Sequence, residues 1–109
     1  MTDPILKWQG KRKLNITWED AETDARVEEI MDSAIPDLIF KLGITDEDFD
    51  FSASGMENTL FLAYCLYEWN HALDEFDLNY ARTIAQVRAK HEVEQYLNDS
   101  EESEDAEEV

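Results

Sequence analysis

Residues 56–76 read MENTLFLAYCLYEWNHALDEF, and they decide the fold. Leu60, Phe61, Leu62, Ala63, Tyr64, Cys65, Leu66, Tyr67, Trp69, Ala72 and Leu73 put apolar side chains on nearly every side of a helix drawn through Met56–Phe76. A helix on a protein surface needs one apolar stripe. One that is apolar all round is enclosed, either at the centre of a bundle or with a second face against another subunit. Ser54, three residues before Glu57, has capping-box spacing and predicts the start of this helix.

Upstream, Val27, Ile30, Met31, Ala34, Ile35, Leu38, Ile39 and Leu42 recur at steps of three and four, the single stripe of an amphipathic helix. Thr17 is the expected N-cap, Glu19, Asp20, Glu22 and Asp24 complement the positive helix end, and Gly43 is the expected stop. Pro36 lies inside the stripe. Its ring removes a backbone bond and clashes with the preceding turn, which predicts a kink or a break. Downstream, Tyr80, Ala81, Ile84, Val87, Val93 and Leu97 mark a last helix over 78–97. No hairpin signal interrupts the pattern. The expected fold is all-α, three long helices plus a short N-terminal one, with Phe49 and Phe51 anchoring the acidic loop between the second and third.

Charge marks the boundaries. The 109 residues hold 27 acids against 9 Lys and Arg, a net charge of −18, yet 43% are hydrophobic, enough to form a core. Seven of the acids lie in residues 98–109 with no base and no aromatic, so the expectation is a folded domain at 1–97 and a disordered acidic tail at 98–109. The domain itself keeps 20 acids against 9 bases, and such a field repels phosphate backbones, which argues against general nucleic-acid binding. The lone Cys65 cannot form an internal disulfide. The N-terminus lacks the order of a signal peptide, and the longest apolar run, Leu60–Tyr67, is too short to span a bilayer. A soluble protein of a reducing, cytosolic compartment is expected.

Several patterns touch on chemistry. Asp46, Asp48, Asp50, Ser52, Ser54 and Glu57 fall at the ligand positions of a calcium loop, but the sharp-turn position, normally Gly, is Phe51. Glu68 and His71 have the Glu-x-x-His spacing of di-iron bundles, but the required second motif is missing because Arg88 stands three before His91. Cys65 sits in the most apolar segment, where a thiol behaves as a small hydrophobe. No phosphate loop or nucleophile elbow is present. The sequence reads as a non-enzyme with no metal or cofactor. Lys11, Arg12 and Lys13 beside Trp8 form the one basic cluster, suited to an acidic protein surface or simply a solvated turn.

The segment Leu14-Asn15-Ile16-Thr17-Trp18-Glu19-Asp20, with Thr23-Asp24 and the amphipathic helix, resembles the opening of the head–tail connector proteins of long-tailed bacteriophages. Leu60–Tyr64, Cys65, Tyr67, Asn70, Phe76, Tyr80, Ile84 and Arg88 are similar to that family's aromatic-rich and closing helices, so the likeness covers most of residues 5–90. The long acidic tail and Pro36 depart from the family's pattern. The resemblance implies a virion protein, present in the host cytoplasm during assembly, whose copies form a ring, expected to be twelvefold, on the portal protein. Such a ring extends the DNA channel without binding DNA specifically and docks a stopper or tail-completion protein. The interface residues expected on this reading are Leu62, Leu66, Trp69 and Leu73, with Trp8, Lys11, Arg12 and Lys13 reaching neighbours. The net charge opposes self-association, so a monomer or weak oligomer is expected without the portal. The rival reading is an acidic DNA mimic that occupies the basic groove of a host enzyme.

Overall fold

The computed structural model describes residues 3–107, with side chains described through Ser100. Five helices follow one another: α1 (Pro4–Lys13), α2 (Ala21–Lys41), α3 (Met56–Trp69), α4 (Leu73–Asn79) and α5 (Ala81–Glu107). The chain is all-α as expected, but the helices are divided differently.

α1 starts where the Asp3 carboxylate accepts from the Ile5 N–H at 2.9 Å, with Pro4 supplying a preset φ. Lys11, Arg12 and Lys13 occupy its last turn, the negative end of the helix. α2 is capped by Asp20, not Thr17: Asp20 Oδ2 accepts from the Thr23 N–H and hydroxyl at 3.1 and 2.9 Å. Pro36 does not break α2, which runs unbroken from Ala21 to Lys41. The reason is packing: Met31, Ala34, Leu38 and Leu42 are fully buried on both sides of the proline and hold both turns to one core. Pro36 itself faces outward, where a lost backbone bond costs least. Gly43 ends the helix as expected, at φ +64°, and the Ile44 N–H returns to the Ile39 carbonyl at 3.0 Å.

α3 begins after Gly55, whose φ of +151° favours glycine, and Ser54 makes no capping bond. The single helix expected over 56–76 is in fact two. Asn70 Nδ2 donates back to the Leu66 carbonyl at 3.0 Å, His71 adopts φ +58°, and the Ala72 N–H closes the turn on the Tyr67 carbonyl at 2.8 Å. The new direction of α4 drives Phe76 into the core, where it is fully buried, stacked on Tyr80 at 5.1 Å and edge-on to Tyr64 at 5.4 Å. α3 therefore lies at the centre, against α1, α2, α4 and the start of α5. Phe51 anchors the 42–55 loop as expected, stacked on Phe61 at 5.3 Å with Phe49 edge-on at 5.0 Å. Gly10 of α1 lets α1 approach α2 so closely that a Cβ there would collide with the Met31 side chain.

The boundary expected at Leu97 does not appear in the backbone. α5 continues to Glu107, while residues 108 and 109 of the proposed tail lie outside the described residues. No Gly or Pro follows Gly55 in the sequence, and Glu is a good helix former, so nothing local stops the helix. α5 lies on the body as far as Gln95, where Val87 is buried, His91 meets Glu57 and Phe49, and the Thr45 hydroxyl donates to Gln95 Oε1 at 3.0 Å, and the rest projects. The molecule measures 58 × 28 × 19 Å with a radius of gyration of 16.5 Å, against about 13 Å for a compact chain of this length. Among the described residues no helix is long and apolar enough to cross a membrane.

Candidate functional site

The expected interface residues separate into two groups. Trp8, Arg12 and Lys13 of α1 meet Leu62 of α3, with Gln9 and Asn58, around a shallow depression of about 340 Å³. Gln9 holds the two helices in register: Asn58 Nδ2 donates to Gln9 Oε1 at 3.0 Å and to the Phe51 carbonyl at 2.8 Å, while Gln9 Nε2 donates to the Ser52 carbonyl at 3.1 Å. On this frame Trp8 stays 58% exposed, with the Arg12 guanidinium 4.9 Å above its ring. Neither Arg12 nor Lys13 has a carboxylate partner among the described residues. Lys11 turns the other way, onto Asp24, and its hydrogen bond holds that carboxyl below the usual range against the opposing effect of burial. Lys7 likewise reaches Glu28, at 3.6 Å. Of the four bases of α1, Lys7 and Lys11 are thus neutralised by acids of α2, and Arg12 and Lys13 are presented beside an exposed indole.

Leu66, Trp69 and Leu73 are partly buried against the chain's own core. Trp69 is covered by Arg26, whose guanidinium stands 4.3 Å over the indole and whose Nη2 donates to the Trp69 carbonyl at 2.7 Å. That bond satisfies the C-terminus of α3, and the same nitrogen lies 3.3 Å from His71 Nε2. Glu68 and His71 do not share a helix face, because His71 falls in the left-handed turn. Together with Arg26 they border a separate depression of about 170 Å³.

The carboxylates of the 46–57 segment serve local structure. Asp46 Oδ1 accepts from the Asp48 N–H and Asp50 Oδ1 from the Ser52 N–H, both at 2.9 Å, which closes two Asx turns. Glu57 leaves the set, bound to Lys90 Nζ at 2.7 Å with His91 Nε2 3.3 Å away. Burial pushes its carboxyl up, but the Lys90 hydrogen bond and charge outweigh this and hold it below the usual range. Among the described residues no three His, Cys, Asp or Glu side chains stand close enough to hold a metal ion. Cys65 is 1% exposed, and burial pushes its thiol up to about 12, which keeps it protonated and unreactive.

Most of the other polar contacts were invisible in the sequence. The Tyr64 hydroxyl donates to Asp37 Oδ2 at 2.8 Å, and burial, then this bond, push the phenol well above its ordinary range. Lys41 joins Asp37 to Asp77 of α4 at 3.5 and 2.6 Å, and the two carboxylates raise its ammonium against burial. Arg88 donates to the carbonyls of Phe40 and Lys41 at 3.2 and 3.3 Å, closing the end of α2. Apart from Asp37–Lys41, an i,i+4 pair that the spacing already offers, these partners lie far apart in the chain, and only the fold joins them. Comparison with family models, with curated proteins and with solved structures finds no match for this chain.

Proposed function

We propose that the protein is a structural head–tail connector of a long-tailed bacteriophage, a ring-forming adaptor seated on the portal vertex. The observation that carries the reading is the surface of Trp8, Arg12, Lys13 and Leu62: an exposed indole and two cations without a carboxylate partner among the described residues, on a chain of net charge −18. Its chemistry suits an acidic, partly apolar protein surface, whether the portal or a neighbouring copy. The sequence likeness of residues 5–90 to the connector family points to the same role. The ring is twelvefold to match the portal, its acidic lumen repels rather than grips the DNA that passes, and its far side receives a stopper or tail-completion protein. The role is structural and assigns no residue to catalysis, a metal or a cofactor. The protein works at the head–tail junction of the virion and passes through the host cytoplasm during assembly.

The test is to add the purified protein to DNA-filled capsids that bear a portal and lack this protein, then image the vertex by negative stain. New ring density is expected, and Arg12→Glu with Trp8→Ala should abolish it while leaving the helical circular dichroism intact. No density from a folded preparation would overturn the reading.

One observation favours the second reading, the DNA mimic. The helical course of α5 to Glu107 gives its acids a regular spacing that a disordered tail would lack. Inhibition of a nuclease or polymerase by the purified protein, in the absence of capsid binding, would select it.

A further inference from the structure

α5 presents two faces, and the body uses only one. Tyr80, Ile84, Val87 and His91 turn toward the body. On the opposite side Arg82, Gln86, Ala89, Val93 and Tyr96 follow one another at steps of four, three, four and three, and all are exposed, Val93 by 57% and Tyr96 by 71%. That spacing averages 3.5 residues, the repeat that keeps a seam facing a partner helix along its length. None of the five is acidic, on a chain that is one-quarter Asp and Glu.

The charge order of α5 is a second, independent sign. Residues 81–91 hold three bases and no acid, whereas residues 92–107 hold eight acids and no base. A lone helix is stabilised by the opposite order, acids at its N-terminus and bases at its C-terminus. An antiparallel neighbour of the same sequence eases the conflict over the shared length: it lays Glu92, Glu94 and Asp99 of each copy along Arg82, Arg88 and Lys90 of the other.

We infer that the outer face of α5 pairs with the same face of a second copy, antiparallel, about a two-fold axis. In the register that alternates the seam positions, Ala89 of each copy faces Val93 of the other, Gln86 faces Tyr96, and Arg82 lies at Ser100 beside Asp99. A large residue thus meets a smaller or polar one at each layer, and the Tyr96 hydroxyl comes within reach of the Gln86 amide. The seam from 82 to 100 spans about 27 Å at the rise of an α-helix. The two acidic bodies therefore sit at opposite ends of the pair, beyond the screening length of about 8 Å at physiological salt. The net charge that opposes association in general does not oppose this arrangement. The inference goes beyond the connector reading and does not rest on it: a two-fold contact consumes the same patch on both copies and cannot close a ring.

The test uses the full chain. Light scattering across a concentration series should give the mass of two copies, reverting to one on dilution, and Tyr96→Glu should weaken the association about tenfold or more. The orientation is read by cross-linking. Ala89→Cys mixed with Val93→Cys should form a disulfide under mild oxidation, faster than either variant alone and faster than the exposed Thr17→Cys. Cys65 is buried and does not compete. All these positions are exposed, so the variants keep the fold, which circular dichroism verifies. Three results would each overturn the inference: one-copy mass at every concentration with no excess cross-linking in the mixture, cross-linking of the single variants with themselves as a parallel pair requires, or assemblies larger than two.

Discussion

α3 and α5 are both helices, for opposite reasons. α3 has 14 residues, is apolar on nearly all sides and is enclosed by the rest of the body, with Leu60, Phe61, Ala63, Tyr64 and Cys65 buried. α5 has 27 residues, and of those through Ser100 only Val87 is buried. The longer helix is the one with less to bury. Length follows from where each helix is interrupted: α3 is cut at the Asn70–His71 turn that sends Phe76 into the core, while α5 meets no Gly or Pro. Stability follows from burial. Helical length is therefore a poor guide to which part of this molecule holds it together.

Removing the side chain at the centre of α3 should break that contrast most sharply. Phe61→Ala is expected to lose about 3–5 kcal/mol of stability in urea denaturation. Tyr96→Ala in α5 should stay within about 0.5 kcal/mol, measured at a concentration where the protein is monomeric. A comparable loss from both would mean that α5 belongs to the cooperative core. Next in size is Arg26→Ala, which leaves the Trp69 carbonyl without its donor and uncovers the indole. A loss of about 1–3 kcal/mol is expected, with faster amide exchange confined to the α3–α4 turn.

A subtler effect concerns how α5 is held. The folded Glu57 carboxyl lies below its ordinary range, so the stability it contributes is fully present above that range, about 4.3, and is lost as pH falls through the lower folded value. Amide exchange in residues 84–95 should therefore accelerate at acid pH before the amides of α2 and α3 respond. Glu57→Gln should show the faster exchange already at neutral pH. Smallest of all is truncation after Leu97, which should shift the unfolding free energy of the body by no more than about 0.5 kcal/mol, because the removed residues lie beyond its packing.

Much of this was legible in the sequence. The stripe from Val27 to Leu42, the all-round apolarity of 60–69 and the stop at Gly43 read directly into α2, α3 and their packing. What could not be read depends on contacts between distant residues. The turn at Asn70–His71 has no Gly or Pro to announce it and forms because it lets Phe76 reach the core. Pro36 reads as a kink or a break, yet α2 runs through it as one helix, because burial on both sides overrides a local penalty of about 3 kcal/mol. The Asp20 cap was hidden among neighbouring acids, and Ser54 matched the capping spacing while Gly55 met the backbone requirement. For the candidate surface, the basic cluster was visible, but its division was not. Which cations are neutralised depends on where Asp24 and Glu28 fall along α2, one beside Lys11 and the other beside Lys7.

The projection of α5 also governs how the molecule moves through solvent. A body drawn out to 58 Å along one axis experiences more friction than a sphere of equal mass. It will tumble anisotropically and leave a gel-filtration column ahead of its molecular weight, so a single copy imitates a pair by elution volume. Paired copies, overlapped along their rods, would gain less in hydrodynamic radius than in mass. Scattering intensity and sedimentation velocity respond differently to shape and mass, and their combination separates the two.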